Sequence, residues 1–271
     1  MGVAPAVVRG EAPDEGLAEA GFYWRSTLTP SVVGAPVIDL AFTRRADPEA
    51  AGPFAGFNLG DHVGDDPSVV ERHRQSLAAS LGVRRDRLVF MRQVHGARVL
   101  EVNEPWGGQA PDGDGVLTRV RGVALAVLVA DCVPVLLHDA AAGIVGAVHA
   151  GRVGLVGGVV PAAVRRMQEL GAEAVSAVVG PSICGRCYEL PEEVVAAVAA
   201  TSPVSATRSW SGTPAADVAA GVVDQLAAQD VSVQWLAGCT REDEQLYSYR
   251  REHRTGRFAG VILMREEGDR E

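Results

Sequence analysis

Between Val123 and His149 three apolar, β-branched runs follow one another almost without pause, at residues 123–129, 133–138 and 144–149. Segments this short and this uniformly apolar read as strands buried on both faces. The links between them are a few residues long, too short for a helical crossover, so neighbouring strands here are expected to run antiparallel. Helical patterns flank the run. Ser68 is placed to cap a helix that Gly82 stops, residues 157–170 carry an apolar face ended by Gly171, and further helices are expected near 192–200 and 217–228. Strands are also expected at 37–43, 88–92, 98–102, 175–179, 231–236, 247–250 and 258–264, with long Gly/Pro/Asp-rich loops at 46–66 and 103–114. The pattern predicts an α/β protein, a layered α/β sandwich with mixed, largely antiparallel sheets and not a doubly wound parallel fold. Residues 1–20 read as a loose N-terminal segment, and 21–271 as one catalytic domain.

Composition narrows the function classes. The 271-residue chain is 47% hydrophobic and can bury a core without covalent staples. Its four cysteines, Cys132, Cys184, Cys187 and Cys239, are too few and too scattered for a disulfide framework and suit a reducing compartment. The acidic start of the chain holds no apolar run of signal-peptide length, and no stretch approaches a membrane span, so a cytoplasmic location is expected. The net charge is −9 and no basic stripe is present, which argues against a nucleic-acid partner. The chain contains no lysine, which reads as codon usage in a GC-rich genome.

One constellation carries chemistry. If residues 139–142 form the hairpin loop, Cys132 faces His149 at the hairpin's open end. His95 sits in a turn at 93–97, beside Gly96, where backbone can approach closely. Two imidazoles and a thiolate suit zinc, and three protein ligands leave a position for water, the pattern of a catalytic site. The same residues allow a metal-free alternative, with Cys132 as nucleophile and His149 as base; a buried cysteine can also be merely a small apolar side chain. Cys184-Gly185-Arg186-Cys187 is a second candidate. No further Cys/His pair stands at ribbon spacing and no thioredoxin-like pattern surrounds it, so it reads as a loop lining a pocket.

The motifs around these residues run in order along most of the chain. They are Phe57-Asn58-Leu59-Gly60-Asp61-His62-Val63-Gly64-Asp65-Asp66, Gln93-Val94-His95-Gly96, Ala130-Asp131-Cys132-Val133-Pro134-Val135, His149-Ala150-Gly151, Gly180-Pro181-Ser182-Ile183 with Tyr188-Glu189, Cys239-Thr240, and Tyr247-Ser248-Tyr249-Arg250-Arg251 with Thr255-Gly256-Arg257. In these the chain resembles the YfiH family, also called the laccase-domain or polyphenol-oxidase-like family. The resemblance implies a fold similar to the cytotoxic necrotizing factor catalytic domain, a cysteine hydrolase. It places the family's metal ligands on His95, Cys132 and His149, with zinc, or alternatively copper, as cofactor. It implies phosphate-dependent cleavage of purine nucleosides (adenosine, inosine, methylthioadenosine), with adenosine deamination as a further activity. Two alternatives accompany it: a Cys-His amidase that edits a peptidoglycan precursor, and a copper polyphenol oxidase, for which a single triad is a poor basis.

Roles follow for the neighbours. Arg45 and Arg250 are candidate phosphate forks, and Asn58 can both donate and accept at ribose or purine edges. Gln93 is a candidate donor to substrate. Asp131 could orient a ligand or shuttle protons in deamination; for His62 metal, substrate and solvent all stay open. Two departures from the family pattern stand out. His149-Ala150-Gly151-Arg152-Val153-Gly154 lacks the usual Trp-Arg after the glycine, and Asp47-Pro48 replaces a glycine pair after Arg45.

Overall fold

The computed structural model describes residues 7–10, 21–31, 34–46, 51–107 and 109–266. Its strands, in chain order, are β1 (Val7–Gly10), β2 (Phe22–Leu28), β3 (Ile38–Thr43), β4 (Leu88–Phe90), β5 (Val99–Glu101), β6 (Gly115–Thr118), β7 (Ala124–Val129), β8 (Val133–Asp139), β9 (Ile144–Ala150), β10 (Ser176–Val179), β11 (Ala206–Arg208), β12 (Pro214–Ala216), β13 (Ser232–Leu236) and β14 (Phe258–Met264). The helices are α1 (Pro67–Ser80), α2 (Arg152–Gly157), α3 (Val159–Glu169), α4 (Glu192–Ala199), α5 (Val218–Ala227) and α6 (Tyr249–Glu252). Among the described residues no helix is long and apolar enough to cross a membrane.

Two large sheets form among the described residues: seven strands in the order β1-β13-β10-β8-β9-β6-β5, and five in the order β2-β3-β14-β7-β4. Both are mixed, antiparallel at the centre and parallel toward an edge. Side-chain alternation shows how they stack. On β8, Val133, Val135 and Leu137 join the core under α3 and α5, whereas Leu136 joins a core shared with Leu125, Val127 and Val129 of β7 and Ile262 of β14. The opposite face of the smaller sheet, Ala126, Val261 and Leu263, packs with Leu77 and Leu81 at the end of α1. The layers therefore run helix, sheet, sheet, helices. This is the mixed α/β sandwich expected from the sequence.

The strand pairing at the centre differs from expectation in one respect that creates the site. β7 and β8 are separated by only residues 130–132, yet they lie in different sheets and do not pair. The chain changes layer at Asp131, whose φ of 98° lies in the left-handed region that non-glycine residues avoid at a cost of about 1–3 kcal/mol. Its carboxylate compensates by accepting hydrogen bonds from Thr240 Oγ1 (2.6 Å), Ser248 Oγ (2.6 Å) and the Arg250 amide (2.7 Å).

Other corrections are local. Residues 7–10 are not loose but pair in parallel with β13; the remainder of 1–20 lies outside the described residues, as does the Asp47-Pro48 turn. Asp66 caps α1, accepting from the Ser68 amide, with Pro67 at the first helical position. The helix expected over 157–170 is α3, which starts after Gly158 (φ 75°), and a short helix that was not expected, α2, precedes it. Residues 247–250 form no strand. Ser248 accepts from the Arg251 amide and starts α6 instead.

Candidate metal centre and its cleft

The layer change delivers Cys132 and His149 to one spot. In the β8–β9 register Pro134 lies opposite His149 and Asp139 opposite Ile144. The turn thus occupies residues 140–143, not 139–142, and continuing the register sets Cys132 against Gly151. The shift is two residues, so the face is preserved: Cys132 and His149 are diagonal neighbours on the side toward the other sheet. His95 approaches from the turn after β4, with φ 59°.

Asp114 holds this turn to His149. Its buried carboxylate accepts from the amides of His95 (2.9 Å), Gly96 (2.6 Å) and Val94 (3.3 Å), and from His149 Nδ1 (2.9 Å). The bond to Nδ1 leaves His149 Nε2 for the centre. Burial pushes the Asp114 carboxyl up, but its bonds from His149, Gly96 and His95 outweigh this and lower it. Sequence reasoning missed Asp114, because nothing in Pro111-Asp112-Gly113-Asp114 separates it from its exposed neighbour Asp112.

The three ligand atoms of His95, Cys132 and His149 lie within 4.8 Å of one another, with Cys132 Sγ 3.8 Å from His95 Nε2. Zinc bonds of ~2.0–2.3 Å set tetrahedral ligand atoms ~3.3–3.8 Å apart, so small side-chain adjustments suffice for all three to hold one ion. His149 is buried, Cys132 half-buried and His95 exposed, so the open side faces solvent. Burial alone would push the Cys132 thiol up; the charge and hydrogen bonds of His149 and His95 outweigh it and bring it from 9.0 to about 6. Burial would likewise push His149 down, but the Cys132 thiolate and Asp114 raise it to about 9. A thiolate at neutral pH is the form a metal requires, and beside an imidazolium it is also a nucleophile.

Gly151 is required for this approach. A Cβ there would stand 2.9 Å from His95 Cδ2 and 3.1 Å from Cys132 Sγ. Its backbone is ordinary (φ −79°), so the constraint is space and not conformation. The Gly151→Ala protein is therefore expected to fold normally and to bind metal ~10–100-fold more weakly, the scale of a disturbed ligand-supporting contact. Unchanged affinity in a metal titration would exclude this packing role.

The centre opens into a cleft of about 570 Å³ whose lining includes Arg152, Arg250, Arg257, Tyr188, Tyr249 and Ile183. The guanidinium of Arg250 lies 4.9 Å from the Tyr188 ring centroid and donates to the Glu189 carbonyl. Arg257 donates to the carbonyls of Thr255 and Gly256. His62 and Arg152 both line the cleft.

Of the remaining sequence candidates, Gln93 lines the cleft, but its amide is clipped to both the carbonyl and the amide of Leu128, at 2.8 Å each. Arg45 and Asn58 are not among the lining residues. Arg45 is buried against Glu252 at 2.6 Å and stacks over Tyr247. Asn58 is fully buried and accepts from the Gly60 and Arg257 amides, which makes it a support for Arg257. The Asp131 carboxylate bonds to Thr240, Ser248 and the Arg250 amide and so anchors the turn carrying Arg250, whereas it is the Asp114 carboxylate that bonds to His149. Cys184 and Cys187 do not line this cleft, although Ile183 and Tyr188 on either side of them do.

A family model described as multi-copper polyphenol oxidoreductase laccase matches residues 39–265. A Streptomyces coelicolor protein named purine nucleoside phosphorylase is 52% identical over 227 residues, spanning 82% of this chain and 94% of that protein. A Corynebacterium glutamicum protein of the same name is 46% identical over 233 residues, spanning 83% and 94%. The crystal structure of YlmD from Geobacillus stearothermophilus matches with a TM-score of 0.77 at 30% identity, covering 89% of this chain and all of that one (100%). The Bacillus licheniformis YfiH structure, at 23% identity and a TM-score of 0.76, shares the fold.

Proposed function

The chain belongs to the multi-copper polyphenol oxidoreductase laccase family, and from that premise we propose that it is a purine nucleoside phosphorylase dependent on a zinc ion held by His95, Cys132 and His149. The observation that carries the reading is a three-ligand centre at the floor of a cleft walled by arginines and tyrosines, in a chain whose relatives at up to 52% identity bear that enzyme name.

Phosphorolysis joins a phosphate oxygen to C1′ of the ribose as the bond from C1′ to the base nitrogen breaks; the base leaves with the electron pair and gains a proton. Arg250, Arg257 and Arg152 supply fixed positive charge for phosphate, Arg250 and Arg257 in place of the Arg45–Arg250 pair read from sequence. Tyr188 and Tyr249 offer flat faces for a purine. Zinc, when bound, supplies Lewis acidity at the cleft floor. Adenosine deamination has weaker support, because Asp114 and Asp131 already accept hydrogen bonds from the protein on both carboxylate oxygens. One His₂Cys centre suits a single ion, which favours zinc over multicopper oxidase chemistry.

A second reading rests on one observation. Asp114, His149 and Cys132 stand in the order orienter, base, nucleophile, as in a cysteine hydrolase, and such an enzyme could edit a peptidoglycan precursor. The two separate cleanly. The phosphorylase reading expects free base from inosine and adenosine only when phosphate is present, and loss of turnover on chelation with recovery on added zinc. No turnover of either nucleoside would sink it, and chelator-resistant amide hydrolysis would establish the hydrolase.

A further inference from the structure

On the side of the 180–189 loop turned away from the cleft, Cys184, Cys187, Cys239 and Glu242 bring three thiols and a carboxylate oxygen within 4.8 Å of one another. We propose that these four residues form a second metal site, a closed four-ligand zinc site of structural type. The pairs have matching spacing, Cys184-Gly185-Arg186-Cys187 and Cys239-Thr240-Arg241-Glu242. A search for cysteine and histidine alone passes over the second pair because its last member is a carboxylate, which is itself an accepted zinc ligand.

The geometry is that of two opposed turns. The Cys187 and Tyr188 amides donate to the Cys184 carbonyl, closing the first turn, and the Glu242 and Asp243 amides donate to the Cys239 carbonyl, closing the second. The turns face each other through a bridge between Ser182 and Cys239 and a hydrogen bond from the Cys184 amide to Cys239 Sγ (3.4 Å). Cys187 Sγ lies 3.0 Å and Cys184 Sγ 4.0 Å from the same oxygen of Glu242. Tetrahedral zinc sets thiolates ~3.8 Å apart, so ligand atoms within 4.8 Å need move only a fraction of that separation. All four cysteines are free thiols.

The surroundings fit an ion as well. Trp210 Nε1 donates to the ligating oxygen of Glu242 (3.2 Å), the outer contact that orients a metal-bound carboxylate. Three thiolates and a carboxylate would leave a zinc site with excess negative charge. Arg186 and Arg241, one inside each pair, lie close enough to act on Glu242, and Arg186 is held by stacking on Trp210 at 4.2 Å. Four protein ligands leave no open position, so the ion would stabilise and not react. It would tie the turn that leads into Tyr188 to the turn whose Thr240 supports Asp131, and thereby set one wall of the cleft.

The test removes the first centre and reads the second. The full-length Cys132→Ala protein, purified without chelator, is expected to retain one zinc per chain by elemental analysis. Grown on cobalt, it should show the intense near-ultraviolet thiolate-to-cobalt bands of several sulfur ligands. Adding Cys184→Ser and Cys187→Ser should remove both signals. Should that variant fail to fold, Glu242→Gln in the Cys132→Ala background keeps the sulfur ligands and should weaken metal affinity by at least ~10-fold with an unchanged circular dichroism spectrum. A Cys132→Ala protein free of zinc and without sulfur-to-cobalt bands overturns the proposal, as does recovery of Cys184 and Cys187 as a disulfide.

Discussion

The Cys132→Ala protein is expected to fold as the parent does and to lose phosphate-dependent nucleoside cleavage by more than the ~10–100-fold that follows loss of an outer-shell partner. The side chain is small and half-buried at the cleft floor, so its removal opens no sealed cavity. What disappears is the thiolate that stands 3.8 Å from His95 and is one of the charges raising His149. Two imidazoles alone leave the ion under-ligated. Measured together, turnover, metal content and thermal midpoint should show the first abolished, the second reduced and the third nearly unmoved. Wild-type turnover in this variant would remove Cys132 from both the metal and the nucleophile roles. Chelation of the parent decides between those roles, since only the metalloenzyme loses activity with its thiol intact.

Much of this site was legible before the structure because ligand chemistry restricts residue type. Histidine and cysteine at strand ends, beside glycines, suffice to nominate His95, Cys132 and His149. The hairpin register differs by two residues from that expected and still sets Cys132 and His149 on one face, since side chains alternate with a period of two. The layering was legible from apolar periodicity, but which strands pair was not. A three-residue link between β7 and β8 implies proximity, and only the left-handed backbone of Asp131 sends the chain into the other sheet. The roles of Asp114, Arg257 and Glu242 depend on contacts between residues far apart in sequence. Arg45 and Asn58 lie outside the cleft lining for the converse reason: they stand in or beside the motifs, but both are buried and bond to other parts of the chain.

Asp114→Asn is the substitution that should separate positioning from ligation. In the parent, Oδ1 accepts from His95 N and His149 Nδ1, and Oδ2 accepts from Val94 N and Gly96 N. An amide can offer an acceptor to only one of these pairs and must present N–H groups to the other. If the nitrogen faces His149, Nδ1 must accept and the ring proton moves to Nε2, which then cannot bind metal. If it faces Val94 and Gly96, two donors in the turn that carries His95 lose their partner. Unpaired buried donors cost ~1–3 kcal/mol each, so a loss on the order of 2–5 kcal/mol is expected in chemical denaturation near neutral pH. Metal affinity should fall ~10–100-fold in the same variant. The pH dependence has a definite sign. The folded carboxyl is held below its unfolded value of about 3.9, so its contribution is fully present above that pH and is lost as pH falls through the lower folded value. Asparagine has nothing to titrate. The stability gap between the two metal-free proteins should therefore be widest near neutrality and should close in acid. A gap that stays constant from neutral pH down into acid would mean that Asp114 acts by shape alone, and that the charge holding His149 toward the centre comes from elsewhere.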